Sequence, residues 1–305
     1  MIRLLHPALP ESFSPVARSP RGSAAVIRFR MPAEHGAWAI LLAPLLSAAV
    51  LAARWDAPLL LATACALALF LLRGSLEAQA HDAQPNALLA PGHLLLAGAA
   101  AGSAGLLVFH YQRFQLLGVG LAAGVLYAVQ RWLHQQNREN GTEKRSLAAE
   151  LVGVALLTLT APAAWIAAHG SLFVGPSRAR VGWDSPPGVR LWLLNLVFFL
   201  GGILYVKYRV RGLLVHRKFP GIRERLAFAW PVFLYHLQLA ILLAGGVIRG
   251  YLPALVLLAF APGLVRANGL ALHLGQRFPI RQLGWTETAH AAVFAALLVL
   301  ALGSS

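Results

Sequence analysis

Apolar residues in this chain run in long stretches with short polar breaks between them, from Ala37 almost to the last residue. Runs such as AWAILLAPLLSAAVLAA, PLLLATACALALFLL, LLTLTAPAAWIAA and LWLLNLVFFLGGILYV are longer and freer of polar residues than the buried helices of a soluble domain. They predict membrane-spanning helices. Nine are expected, at about 34–54, 57–73, 88–109, 114–131, 148–168, 190–206, 226–247, 250–267 and 285–303. The second is the shortest, bracketed by Asp56 and Arg73, and the eighth is interrupted by Ala261-Pro262-Gly263. The expected fold is all-α: a polytopic membrane protein with a basic tail over residues 1–30 and one transmembrane domain over 31–305. The tail does not read as a secretory signal, because its arginines are not followed by a short apolar core and a small-residue cleavage site.

Composition agrees with a lipid solvent. The chain is 58% hydrophobic and 12% charged, against roughly 25% charged residues in soluble domains. Mean hydropathy is +0.64. The single cysteine, Cys65, lies inside an apolar run and has no partner for an intrachain disulfide or a thiolate cluster.

A net charge of +15 raises nucleic acid as a partner, but its placement points elsewhere. With nine alternating spans, only Arg54, Arg113, Arg178, Arg180, Arg190 and Arg249 of the 26 Lys and Arg residues fall on one side. The rest share the other side, so the positive-inside rule puts the N-terminus in the cytoplasm and the C-terminus outside. A miscount by one span would scramble this asymmetry. The expected location is a bacterial cytoplasmic (inner) membrane, with the bilayer and no nucleic acid as partner. Of the acids, only Asp56 and Asp184 fall on the outer side. Acids contribute little to orientation, so the cytoplasmic face gathers both signs for solvation and ion pairing or for a site.

Candidate site residues follow from that face. Glu34 and His35 open the first helix behind Pro32, where free backbone amides favour a carboxylate. Arg73, Glu77 and His81 recur every four residues, with Asp82 one step round. Arg73 and Glu77 form either a helix-stabilising pair or part of a site. In the second case Glu77 and Asp82 are candidates to take a proton or a cation. Arg131 shares a helix face with Tyr127. The densest basic segment, LYVKYRVRGLLVHRKFPGIRER, carries Lys207, Arg209 and Arg211. It reads either as an orientation signal that attracts anionic headgroups or as a clamp for a phosphate or diphosphate. Arg266 closes the eighth span and Glu287 begins the ninth. The expected catalytic set is Glu34, His35, Glu77 and Asp82, and the expected binding set is Arg73, Arg131, Lys207, Arg209, Arg211 and Arg266. No HExxH, P-loop, GxGxxG, GxSxG or CxxCH motif is present, so no metal site is assigned and no cofactor is named.

The segment Pro32-Ala33-Glu34-His35-Gly36-Ala37-Trp38 resembles the hallmark of the YwiC-like family of bacterial integral membrane proteins. EKRSLAAEL at 143–151, the arginines after the sixth span and PIRQLGWTETAH at 279–290 are also similar to that family's pattern. The resemblance implies a membrane protein and brings no activity with it. In topology the chain resembles the UbiA-like intramembrane prenyltransferases, which implies a helical bundle acting on a prenyl diphosphate. That superfamily holds magnesium diphosphate with two Asp-rich motifs. Here the first position offers only Glu77 and Asp82, and the second is basic with Glu224. The functional expectation is an enzyme or binder for a lipid-linked diphosphate or anionic lipid. The alternatives are a transporter and a membrane assembly scaffold.

Overall fold

The computed structural model describes residues 35–82, 91–139, 146–173, 186–214, 221–274 and 279–304. Their regular elements are all helices: α1 (His35–Ala52), α2 (Ala57–Asp82), α3 (Pro91–Gly105), α4 (Gln115–Glu139), α5 (Leu147–Thr158), α6 (Thr160–His169), α7 (Pro187–Leu214), α8 (Ile222–Ile248), α9 (Leu255–Asn268), α10 (Leu270–His273) and α11 (Ile280–Gly303). A π-helical turn, Leu106–His110, extends α3. Eight spans among the described residues are long and apolar enough to cross a bilayer, with α5–α6 and α9–α10 each forming one span. The apolar part of α1, Gly36–Ala52, is shorter. At about 1.5 Å per residue it falls a little short of a hydrocarbon core of about 30 Å. The protein is therefore a multi-pass membrane protein, and nine is an approximate count.

Several helices outrun the apolar segments that announced them. α2 continues to Asp82 and α4 to Glu139. Once nucleated, a helix extends into water where i,i+4 pairs support it, as Arg73 and Glu77 do at 2.8 Å. The interruption expected at Ala261-Pro262-Gly263 does not occur, because α9 runs through Pro262 to Asn268. The eighth span breaks later, at Gly269 between α9 and α10, and the fifth span breaks at Leu159 between α5 and α6. Pro162 has no N–H to give to the carbonyl of Thr158, and two threonine hydroxyls supply other bonds. Thr158 Oγ1 donates to Val154 O at 2.9 Å, and Thr160 Oγ1 donates to Leu41 O of α1 at 3.0 Å.

This broken span is the centre of the bundle. Ala161, Ile166, Ala167 and Ala168 are each 0% exposed, and α1, α2, α4 and α7 pack around α5–α6. Its small side chains let neighbouring backbones come close, which is how helices associate where lipid removes the hydrophobic drive. On the other flank α11 packs against α1 and α9, and Phe198 of α7 stacks on Phe294 at 3.7 Å. α2, α4, α7 and α9 finish where α3, α5, α8 and α11 begin, the end that carries most of the basic residues.

Candidate functional site

Near its middle α7 carries Gly201 and Gly202, then Tyr205 and Arg209 at successive turns. Three other helices bring polar side chains to this stretch. Arg266 of α9 forms an ion pair with Glu287 of α11 through Nη1 and Oε1. The guanidinium carbon also lies 4.1 Å from the centroid of the Tyr205 ring, over its face. Both charged side chains are mostly buried, at 16% and 17% exposure. Arg266 Nε is buried without a hydrogen-bond partner. Glu287 Oε2 looks toward Gly202, where a Cβ would stand 3.6 Å from it. Arg209, buried, lies one turn beyond Tyr205 and within its electrostatic reach. A bilayer interior penalises charges, so such groups persist only where they are paired, hydrated or used.

His236 of α8 completes the group. It is buried, its Nδ1 lies 2.8 Å from Val232 O, and Arg266 is within its electrostatic reach. A carbonyl only accepts, so Nδ1 carries the proton and Nε2 presents a lone pair. That lone pair points at Gly201, where a Cβ would lie 3.0 Å from Nε2. Gly201 thus lets α8 bring His236 close against α7, while Glu287 of α11 reaches Gly202 at ordinary contact distance.

Other charges at the same end are absorbed separately. Lys207 Nζ donates to Glu150 Oε2 of α5 at 2.8 Å. Gln130 Nε2 of α4 donates to Ala149 O at 3.1 Å, against Gly153. Arg73 Nε donates to Glu77 Oε1 on its own helix. Of the expected binding residues, then, Arg209 and Arg266 come together at Tyr205, while Lys207 and Arg73 stand with other acids, and Arg131 and Arg211 are exposed. Of the expected catalytic residues, Glu34 lies outside the described residues. His35 begins α1 and Asp82 ends α2, with side chains that are not described. Trp38 meets Phe70 edge to face at 4.8 Å. Counting one residue per 1.5 Å outward along the two helices puts the backbone of His35 at about the level of Arg73. Tyr205, His236, Glu287 and the two glycines were not among the expected site residues. The available signals were a histidine at the middle of an apolar run and an acid seven residues into a span.

Residues 31–165 match the YwiC-like protein family. No curated protein matches the chain, and no solved structure does. The YwiC-like match covers α1 through most of α6, with Arg73, Glu77, Arg131 and Glu150, and stops before α7. The group around Arg266 therefore lies in the part of the chain that the YwiC-like match does not reach. No comparison carries the topological resemblance to the UbiA-like enzymes. Among the described residues no three His, Cys, Asp or Glu side chains come together. With Glu77 held by Arg73, the described donors do not fit a divalent-metal diphosphate site.

Two further features adjoin these groups. Leu226, Trp230 and Phe233 of α8 and Ala267, Asn268 and Ala271 of α9–α10 line a groove of about 210 Å³, which begins one residue after Arg266 in the chain. Leu226 and Trp230 are more than half exposed, so the groove faces outward from the bundle. At the opposite end Arg54 Nη1 donates to Ala168 O at 3.2 Å, and Gly170 closes α6 with a φ of +82°. His169 stacks on Trp165 with Arg54, Asp56 and Arg113 within electrostatic reach. Cations at a helix C-terminus suit the exposed carbonyls, so this second cluster is explained as a cap of the central span.

Proposed function

We propose that the protein binds an amphipathic anion, a prenyl diphosphate or an anionic lipid, at the cytoplasmic face of a bacterial inner membrane. One observation carries the reading: Arg266, between Tyr205 and Glu287, keeps a buried Nε donor without a hydrogen-bond partner, and the next residue, Ala267, lines an outward-facing apolar groove. A buried unpaired donor costs about 1–3 kcal/mol, which a phosphate oxygen offsets. Arg209 and Arg266 supply the planar donors that oxyanions fit, and the named group holds two guanidiniums against one carboxylate. The groove takes the tail. Assigning the basic end to the cytoplasm follows the positive-inside rule. Chemistry at the bound head, if group transfer follows, draws on Glu34, His35, Glu77 and Asp82.

Native mass spectrometry of the purified protein tests the binding step. An anionic lipid or prenyl diphosphate is expected to co-purify, to be lost in Arg209→Gln and to return in Arg209→Lys. A wild-type protein that is empty, and that added farnesyl diphosphate and phosphatidylglycerol do not stabilise, overturns the reading.

A second reading, transport, is favoured by the break at Leu159 in the middle of the most buried span, since discontinuous helices near the midplane form transporter sites. Movement of the bound anion across reconstituted vesicles, chemically unchanged, separates it from group transfer.

A further inference from the structure

We infer that His236 is a proton site coupled to the anion site, so that a proton and the anion bind together. This rests on the proposed binding of an amphipathic anion at Arg266.

The geometry supplies three parts. His236 stands at the middle of the span Ile222–Ile248, against Gly201 near the middle of Pro187–Leu213, so both lie deep in the bilayer. Its Nδ1 is engaged by Val232 O, which fixes the tautomer and leaves Nε2 as the atom that takes a proton. Arg266 of α9, which acts on it electrostatically, belongs to the anion site. Behind Arg266 stand Glu287 and His290 of α11, with Tyr205 and Arg209 on α7 and Tyr235 adjoining on α8. His273 of α10 has a side chain that is not described.

The coupling is electrostatic. With the site empty, a proton on Nε2 adds a cation near Arg266, with Glu287 as the acid of the described group. An anion on Arg266 Nε brings a second negative charge and offsets the imidazolium. Each ligand therefore favours the other by the same factor, as linkage requires. The proton comes from solvent and adds to Nε2, and no bond to the anion forms or breaks. An ionisable side chain at this depth is a natural proton carrier.

The test uses short-chain phosphatidylglycerol, whose phosphodiester does not titrate near neutrality, with the full chain in detergent between pH 5 and pH 8.5. Affinity is expected to rise as pH falls, by up to about tenfold per pH unit where one proton is taken up, and to lose that dependence in His236→Gln. The His236 ¹⁵Nε2 resonance of the wild type is expected to move from the unprotonated to the protonated position on lipid addition at constant pH, a readout that needs no variant. Binding that is pH-independent in the wild type, or an Nε2 resonance unmoved by bound lipid, overturns the coupling and leaves the anion site standing. pH dependence kept in a folded His236→Gln also overturns it. Binding of neither phosphatidylglycerol nor farnesyl diphosphate at any pH overturns both.

Discussion

Lys207 Nζ lies 2.8 Å from Glu150 Oε2, which ties the basic segment of α7 to the start of α5. Arg209 is two residues on, about 200° round the helix, on the face that carries Tyr205 one turn earlier. The basic segment therefore presents its charges on two faces of α7. Both members of the Lys207–Glu150 pair are largely covered, at 11% and 25% exposure, so removing Lys207 takes a close cation from a covered carboxylate. Lys207→Ala is expected to lower stability by about 1–3 kcal/mol, read as a lower melting temperature in detergent. Lys207→Ala combined with Glu150→Ala is expected to recover part of the loss, because the stranded carboxylate goes with it. A loss in the double variant equal to the sum of the losses in Lys207→Ala and Glu150→Ala alone would show that the pair is not coupled. It follows that Lys207→Ala is a poor probe of anion binding and Arg209→Gln a better one.

Neighbouring glycines on α7 call for opposite outcomes. At Gly201 an added Cβ stands 3.0 Å from His236 Nε2 and 3.1 Å from the Tyr235 ring. Neither ring has room to yield, since Tyr235 Oη donates to Val197 O at 2.6 Å and His236 is tied to Val232. Gly201→Ala is expected to push α8 from α7 and cost about 1–3 kcal/mol. At Gly202 the nearest atom is Glu287 Oε2 at 3.6 Å, an ordinary contact. Gly202→Ala is expected to be neutral or to stabilise slightly through helix propensity. Thermal melting of the two variants side by side checks the ordering, and a larger loss at Gly202 contradicts the packing described.

Gly170 ends the central span in a conformation that side chains resist. Its φ is +82°, and an added Cβ would collide with Arg113 Nη1. Gly170→Ala combines left-handed strain, about 1–2 kcal/mol, with displacement of a cation from the helix C-terminus. A melting temperature several degrees below wild type is expected. Gly170→Asn, which tolerates this backbone region better, is expected to lose less.

The spans were legible because apolar runs and basic residues between them are local signals, and α2 begins at Ala57 as the pattern required. What the pattern missed has physical causes. The break at Leu159 hides inside LLTLTAPAAWIAA, where threonines pass as apolar and only Pro162 marks the lost bond. His236 stands out as a titratable residue in an apolar helix, but its partner Gly201 is far off in sequence and visible only in the fold. Arg266 and Glu287 were each visible at a span edge, and their pairing across 21 residues is a tertiary fact. Arg209 and Lys207, adjacent in composition, separate only once α7 has neighbours on both faces. Residues 31–34, the first half of the most distinctive segment of the sequence, lie outside the described residues.

The two threonines at the break bond differently and so should fail differently. Thr158, fully buried, accepts a hydrogen bond from Trp192 Nε1 of α7 at 3.1 Å while donating to Val154 O. Thr160 donates to Leu41 O and Leu157 O, and no donor is recorded on its oxygen. Replacing Thr160 by Val removes a bond to carbonyls that still take part in their own helices, a loss of about 0.6 kcal/mol by the usual worth of interhelical bonds in membranes. Replacing Thr158 by Val leaves the Trp192 N–H buried and unsatisfied, which costs about 1–3 kcal/mol. Thr158→Val is therefore expected to melt below Thr160→Val, and Thr158→Ser, which keeps the acceptor, close to wild type. A blue-shifted Trp192 fluorescence in Thr158→Val alone, measured in a chain with the other tryptophans replaced by Phe, would report the lost partner. The reverse order of melting temperatures would mean that the tie to α1, and not the tie to α7, holds the broken span in place.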